Sequence, residues 1–203
     1  IIEVDPGKFQ LTVKPTDYGA EMLVAEYTCG LETTAQIISV EIKGIGSDTD
    51  PFLISTPTQL RVVGYLAKGN YHFRQINDID LSNSYSPNGT DTDKFIHNNG
   101  GKFYAPIGSD KAPFDGVYDG QGYKITGLKT NRPAESNIGL FGVVAQNGTL
   151  VPTIKNIHLE LMPFNGTNAN GIIGNANIGG IAGKISNGVV ENCSVTIGSV
   201  TGK

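Results

Sequence analysis

Short Gly- and Asn-punctuated segments recur along the chain, and they constrain its folding more than any other feature. Asn137-Ile138-Gly139-Leu140-Phe141-Gly142 is echoed by Asn177-Ile178-Gly179-Gly180-Ile181-Ala182-Gly183. Thr153-Ile154-Lys155-Asn156-Ile157 is echoed by Val189-Val190-Glu191-Asn192-Cys193. Lys124-Ile125-Thr126-Gly127-Leu128 fits the same template, with Gly in the Asn position. A strand of this length cannot bury its apolar face alone, but stacked copies can. Gly and Asn suit the corners between strands because they tolerate positive φ.

Composition agrees with many short strands and tight turns. Of 203 residues, 27 are Gly and 10 are Pro, Trp is absent, and only 17% are charged. A helical bundle or coiled coil would be rich in Ala, Glu, Lys and Leu instead. Plentiful Ile, Val and Leu with a net charge of −4 exclude a disordered chain. The absence of a basic cluster excludes nucleic acid and an anionic membrane surface as partners. No apolar run approaches the roughly 20 residues needed to span a bilayer.

Residues 1–46 read as a small β unit. Lys8 to Lys14, Met22 to Tyr27 and Ala35 to Lys43 are strand-like, the first and last with clear alternation of apolar and polar residues. Residues 47–203 form the second unit, entered through the turn-rich stretch Gly44 to Pro51. Its opening carries a helix start, with Thr56 as N-cap, Pro57 at the first helical position and Gln59 three residues after the cap. Leu60, Val63 and Leu66 give that helix an apolar face, suited to covering the end of a β stack.

The fold class expected is all-β: a right-handed parallel β-helix, or solenoid, with a short N-terminal capping helix, preceded by a small β-sandwich-like segment. The expected inward positions are Ile125, Leu128, Ile138, Phe141, Ile154, Ile157, Ile178, Ile181, Val190 and Cys193. Val195, Ile197 and Val200 are still apolar near the last residue, so further chain or a cap is expected after Lys203.

The stretch Asn177 to Val195, with Gly198 and Val200, resembles the GLUG motif of bacterial surface proteins. The likeness lies in the Gly179-Gly180-Ile181-Ala182-Gly183 core, the Asn187-Gly188 turn and the Asn192-Cys193 corner. Asn137 to Leu159 resembles a degenerate copy. Upstream, Pro51 to Thr56, Asn77 to Leu81, Pro106-Ile107-Gly108 and Phe114 to Gly120 resemble the opening segments of the same proteins. An aromatic usually precedes Pro-Ile-Gly directly there, whereas Tyr104 is one residue further back here. The resemblance covers roughly 50–203. It implies a β-helix from a secreted or outer-surface bacterial protein, such as the non-catalytic part of IgA-cleaving metalloproteases. It implies no particular ligand, since function belongs to sites rather than folds.

The residues that could carry chemistry each have a simpler structural role as well. Asp115 and Asp119 could form the carboxyl pair of a glycosidase, yet each precedes a Gly and reads equally as a turn residue. Asp48-Thr49-Asp50, Asp78-Ile79-Asp80 and Asp91-Thr92-Asp93 offer alternate oxygens suited to Ca²⁺. Asp91 and Asp93 are the best of these, although none continues into the full calcium-loop pattern. His72, His97 and His158 are isolated, and no zinc, nucleotide or nucleophile-elbow motif is present. No cofactor is therefore expected beyond calcium. Cys29 and Cys193 lack metal or redox spacing and read as unpaired thiols, with a disulfide between them left open.

The insertion from Ser82 to about Gly101 and its flank carry aromatics among polar residues. Tyr85, Phe95, His97 and Tyr104 are the candidate ligand-binding residues, within a contact surface over 83–104. The competing reading folds Phe95, Phe103 and Tyr104 back as core cover. The function expected is a non-enzymatic extracellular module on the bacterial outer surface, engaging a host or bacterial glycan or protein. The alternative is a carbohydrate-active enzyme, a polysaccharide lyase or hydrolase.

Overall fold

The structure is a computed structural model. It describes residues 2–5, 8–10, 20–26, 36–82, 103–161, 171–196 and 200–202. Strands β1 (Ile2–Asp5) and β2 (Lys8–Gln10) pair antiparallel, as do β3 (Ala20–Glu26) and β4 (Gln36–Ile42). Strands β2, β3 and β4 overlap the three strand-like stretches Lys8 to Lys14, Met22 to Tyr27 and Ala35 to Lys43, and β1 adds a fourth. Next come β5 (Phe52–Ile54), helix α1 (Pro57–Tyr65), β6 (His72–Gln75) and β7 (Ile79–Asp80). Strands β8 (Val117–Asp119), β9 (Lys124–Leu128), β10 (Thr130–Asn131) and β11 (Phe141–Ala145) follow. The remainder are β12 (Thr153–Lys155), β13 (His158–Leu161), β14 (Ile172–Ile173), β15 (Ala182–Ser186), β16 (Val189–Glu191), β17 (Ser194–Thr196) and β18 (Val200–Thr201).

From β5 onwards the paired strands run parallel. One sheet has the order β16-β12-β8-β6-β5, a second β17-β13-β9-β7, a third β10-β14-β18, and β11 pairs with β15. Two of the echoes meet in register, Ile154 opposite Val190 and Ile138 opposite Ile178. The Lys124 segment departs from its template: Ile125 lies opposite Leu159 on β13, and Leu159 lies opposite Val195.

The expectation of one right-handed parallel β-helix behind a β-sandwich-like segment is corrected. The described strands fall into six separate sheets of two to five strands, with a helix among them. The architecture is a mixed assembly of small sheets, largely parallel. The strands are short, and Pro106 and Pro113 carry no amide hydrogen. Around them single bridges replace ladders, at Ile107–Phe141 and Phe114–Val144. The sandwich is replaced by two separate antiparallel pairs, and the Glu41 carbonyl of β4 accepts from Gln59 Nε2 of the helix at 2.8 Å.

Helix α1 starts where its sequence signals lie. The Thr56 hydroxyl accepts from the Gln59 amide at 3.2 Å, and Pro57 takes the first helical position. The Gln59 side chain reaches one residue beyond the usual capping-box partner, accepting from the Ser55 amide at 2.8 Å. Leu60, Val62 and Val63 are buried in the same core as the strands, and Leu66 packs partly against it.

That core is aromatic at its centre. Phe73 lies 6.0 Å from Phe114, Phe114 lies 4.9 Å from Phe141, and Phe141 lies 5.7 Å from Tyr118 in an edge-to-face contact. The buried Tyr118 hydroxyl donates to Gln75 Oε1 at 3.2 Å. Gln75 is itself buried, and its Nε2 donates to the carbonyls of Asn77 and Lys124.

Of the expected inward positions, Ile125, Leu128, Ile138, Phe141, Ile154 and Ile157 are buried. Ile178, Ile181 and Cys193 are partly buried against the core. Val190 departs from the expectation and is 38% exposed. It sits on the last strand of its sheet, so its neighbour on one side is missing among the described residues.

Candidate functional site

The outward face of the five-stranded sheet carries a row of alternating charge. Arg74, Asp119, Lys155 and Glu191 are register partners on β6, β8, β12 and β16. Each sits one residue after an inward Phe73, Tyr118, Ile154 or Val190, so strand alternation turns all four outward. Lys155 Nζ lies 3.6 Å from Asp119 Oδ2. A charge opposite its counter-charge stabilises the pairing, modestly where water screens it.

The chain then turns a corner at Asn156 (φ 57°) and at Asn192 (φ 51°). Asn tolerates this left-handed conformation better than most residues. The two amides form a ladder: Asn192 Nδ2 donates to Asn156 Oδ1 at 3.4 Å, and Asn156 Nδ2 donates to Asp119 Oδ1 at 2.9 Å. The Gln121 backbone amide adds a bond of 3.0 Å to the same carboxylate oxygen.

Beside this ladder lies a shallow groove of about 400 Å³, lined by Gln121, Gly122, Asn156, His158 and Asn192. His158 Nδ1 is 2.8 Å from Ser194 Oγ. A serine nucleophile also needs its histidine oriented by a third group, and no hydrogen bond among the described residues supplies one. The groove therefore displays amide and imidazole groups, which match the hydroxyls of a neutral polar ligand. A second cleft, of about 220 Å³, is lined by Asp110, Arg132, Glu135 and Asn137 among others. Its charges are paired: Arg132 with Glu135 at 2.7 Å, and Lys184 with Asp110 at 3.1 Å.

Partial burial pushes the Asp119 carboxyl up. The Asn156 and Gln121 hydrogen bonds and the Lys155 charge outweigh that and hold it below its usual value. A carboxyl with a lowered folded-state value contributes stability above its unfolded value of 3.8, lost as pH falls through the folded value. Asp119→Ala is expected to cost about 1–2 kcal/mol at pH 7. The difference between variant and parent in urea unfolding should shrink below about pH 4. A gap that stayed constant down to pH 2 would contradict this account.

The acids and aromatics singled out in the sequence are dispersed by the fold. Asp115 is buried, its Oδ1 accepting from the Gly69 and Asn70 amides at 2.8 and 2.9 Å. It is held as a loop acceptor, while Asp119 accepts from Asn156 and Gln121 in the corner ladder, so the two carboxylates serve different local networks. Asp78 and Asp80 accept from the Lys124 and Ser82 amides. Asp48 contacts His72 Nδ1 at 3.3 Å. Among the described residues no group of three or more His, Cys, Asp or Glu is placed to hold a metal. The calcium candidates Asp91 and Asp93, with Tyr85, Phe95, His97 and Cys29, lie outside the described residues.

Tyr104 is described, and its role as a ligand platform is corrected: the whole side chain is buried. The chain before β8 folds it into the core, where its ring replaces water contact with apolar packing. Burial pushes the Cys193 thiol up, and Sγ donates to the Glu191 carbonyl at 3.2 Å. The groove residues Gln121, Asn156, His158 and Asn192 were not anticipated as a site. Their signal was the Asn156–Asn192 echo, read only as a structural corner.

No protein-family profile matches the chain, so the likeness to the GLUG motif rests on the residues quoted for it. The chain is 35% identical over 163 residues to a protein of Evansella cellulosilytica named "Putative Gly-rich membrane protein", covering 79% of this chain and 16% of that protein. It is 30% identical over 162 residues to "Halomucin" of Haloquadratum walsbyi, covering 78% of this chain and 2% of that protein. The chain thus spans a small part of both relatives. A solved structure described as a "putative immunoglobulin A1 protease from Bacteroides ovatus" aligns with 79% of this chain and 60% of its own, at 19% identity and a TM-score of 0.39. Among the described residues no helix is long and apolar enough to cross a membrane.

Proposed function

We propose that this chain is a non-enzymatic extracellular surface module that binds glycans on a host or bacterial surface. The observation that carries the reading is the corner groove, an exposed cleft lined by Gln121, Asn156, His158 and Asn192. Neutral sugars are recognised by such hydrogen-bonding groups without a nucleophile or metal. The acids an enzyme would use are engaged by backbone amides instead. Similarity to a protein named as a membrane protein supports a place at the cell surface.

The test is a glycan array on the purified chain, followed by two paired substitutions. His158→Ala with Asn192→Gly should weaken binding at least about tenfold, or 1.4 kcal/mol, with only a small change in melting temperature, because both side chains are exposed and Gly keeps the positive φ of the corner. Tyr85→Ala with Phe95→Ala tests the insertion separately. Binding lost only in the second pair would move the contact surface to the insertion. Cleavage of a polysaccharide, or no binding to any array glycan, would overturn the reading.

A further inference from the structure

Among the described residues two aromatic rings are largely exposed, Tyr65 at 49% and Tyr123 at 38%. The Arg61 guanidinium lies over Tyr65, 5.4 Å from the ring centroid, whereas no cation lies over Tyr123 among the described residues. Tyr123 stands beside the corner groove. Gly122, directly before it, lines the groove, and so does His158, whose amide donates to the Tyr123 carbonyl at 3.4 Å. Gly122 turns the chain with a φ of 78°, and a Cβ built there would meet nothing within 4 Å, so the corner has room for a ligand. These residues belong to interior strands: β9 lies between β7 and β13, and β13 between β9 and β17. Their exposure is that of a lateral sheet face and does not depend on what stacks beyond β17.

The groups around the groove define what fits it. His158 Nδ1 is engaged with the Ser194 hydroxyl at 2.8 Å, which leaves Nε2 for a ligand. A hydroxyl complements Nε2 in either tautomer, because it both donates and accepts. Neighbouring charges are already paired, Lys124 with Glu160 at 2.8 Å and Lys155 with Asp119 at 3.6 Å. A charged ligand would compete with these pairs, and a neutral one would not. The Tyr123 ring adds a flat apolar surface. A pyranose combines both requirements, with hydroxyls around its rim and C–H bonds on a face that can lie flat on an aromatic ring. We infer, on the basis of the glycan-binding function, that the ligand unit is a neutral hexopyranose. Its C–H face stacks on Tyr123, and one hydroxyl bonds to His158 Nε2.

The probes are the methyl glycosides of glucose, galactose and mannose, with methyl glucuronide as an acidic control. In saturation-transfer NMR, at least one neutral glycoside should respond, most strongly at the C–H protons of one sugar face. Tyr123→Phe keeps the ring and should hold affinity within about twofold. Tyr123→Leu keeps apolar bulk without a flat ring, so it should retain the melting temperature yet weaken binding at least about tenfold. His158→Ala should weaken binding to a similar degree. Equal binding of the glucuronide, full binding by Tyr123→Leu, or no response from any neutral glycoside would overturn the inference. The glycan array separates this from the broader function. Array binding that survives Tyr123→Leu leaves glycan binding standing and removes the stacked pyranose, whereas no binding to any array glycan removes both.

Discussion

Tyr104→Ala is expected to destabilise the fold by about 3–5 kcal/mol, the range for removing a large buried ring, while Tyr104→Phe leaves stability unchanged or raises it by up to about 1 kcal/mol. The ring is fully buried, and its hydroxyl has no hydrogen-bond partner among the described residues. Burial pushes the hydroxyl's pKa well up, against an opposing effect of the Arg61 charge, so it stays protonated and is a buried donor left unmatched. Removing that oxygen relieves an unmet hydrogen bond, whereas removing the ring empties a packed site. Urea unfolding of both variants measures the contrast. A Tyr104→Phe loss above about 2 kcal/mol would mean that the hydroxyl makes an essential bond. A near-neutral Tyr104→Ala would mean that the ring is no part of the core. Any binding loss in Tyr104→Ala is therefore expected to follow unfolding rather than loss of a ligand contact.

Asp115→Ala should cost about 2–4 kcal/mol, because one carboxylate oxygen satisfies two backbone donors in a part-buried loop. Those donors, Gly69 and Asn70, lie just beyond α1, and Asn70 holds a positive φ of 54°. The Asp115 amide returns a bond to the Ala67 carbonyl at 3.0 Å, so the contact ties the loop after α1 to the approach to β8 in both directions. Asp115→Asn keeps an oxygen acceptor and should retain a substantial part of the stability. Equal losses in the two variants would show that charge, rather than acceptance, fixes the loop. A loss under about 1 kcal/mol for Asp115→Ala would show that the loop finds another partner.

Much of the local structure was legible because it depends on neighbouring residues. Thr56, Pro57 and Gln59 marked the helix start through capping, which acts within one turn. Alternation in 35–43 marked β4, and the Thr153 and Val189 echoes marked strands that meet in register, whereas the Lys124 segment, read on the same template, pairs in a different sheet. The site was less legible. Asn156 and Asn192 are far apart in the chain, and only parallel pairing of β12 with β16 stacks their amides beside His158 on neighbouring β13. Asp115 and Asp119 look alike in sequence, each before a Gly, yet one faces the loop after α1 and the other faces Asn156.

The sequence by itself determined where the chain turns, which residues alternate and which segments echo one another. These follow from backbone sterics at Gly and Asn and from the two-residue period of a strand, both local properties. The tertiary structure alone decided how the strands divide among six sheets, that Tyr104 is core, and that Val190 is exposed while Ile154 is not. Val190 and Ile154 occupy the same place in their echoed segments. Their burial differs because burial depends on what is stacked on the other side, and a segment carries no record of that in its own residues.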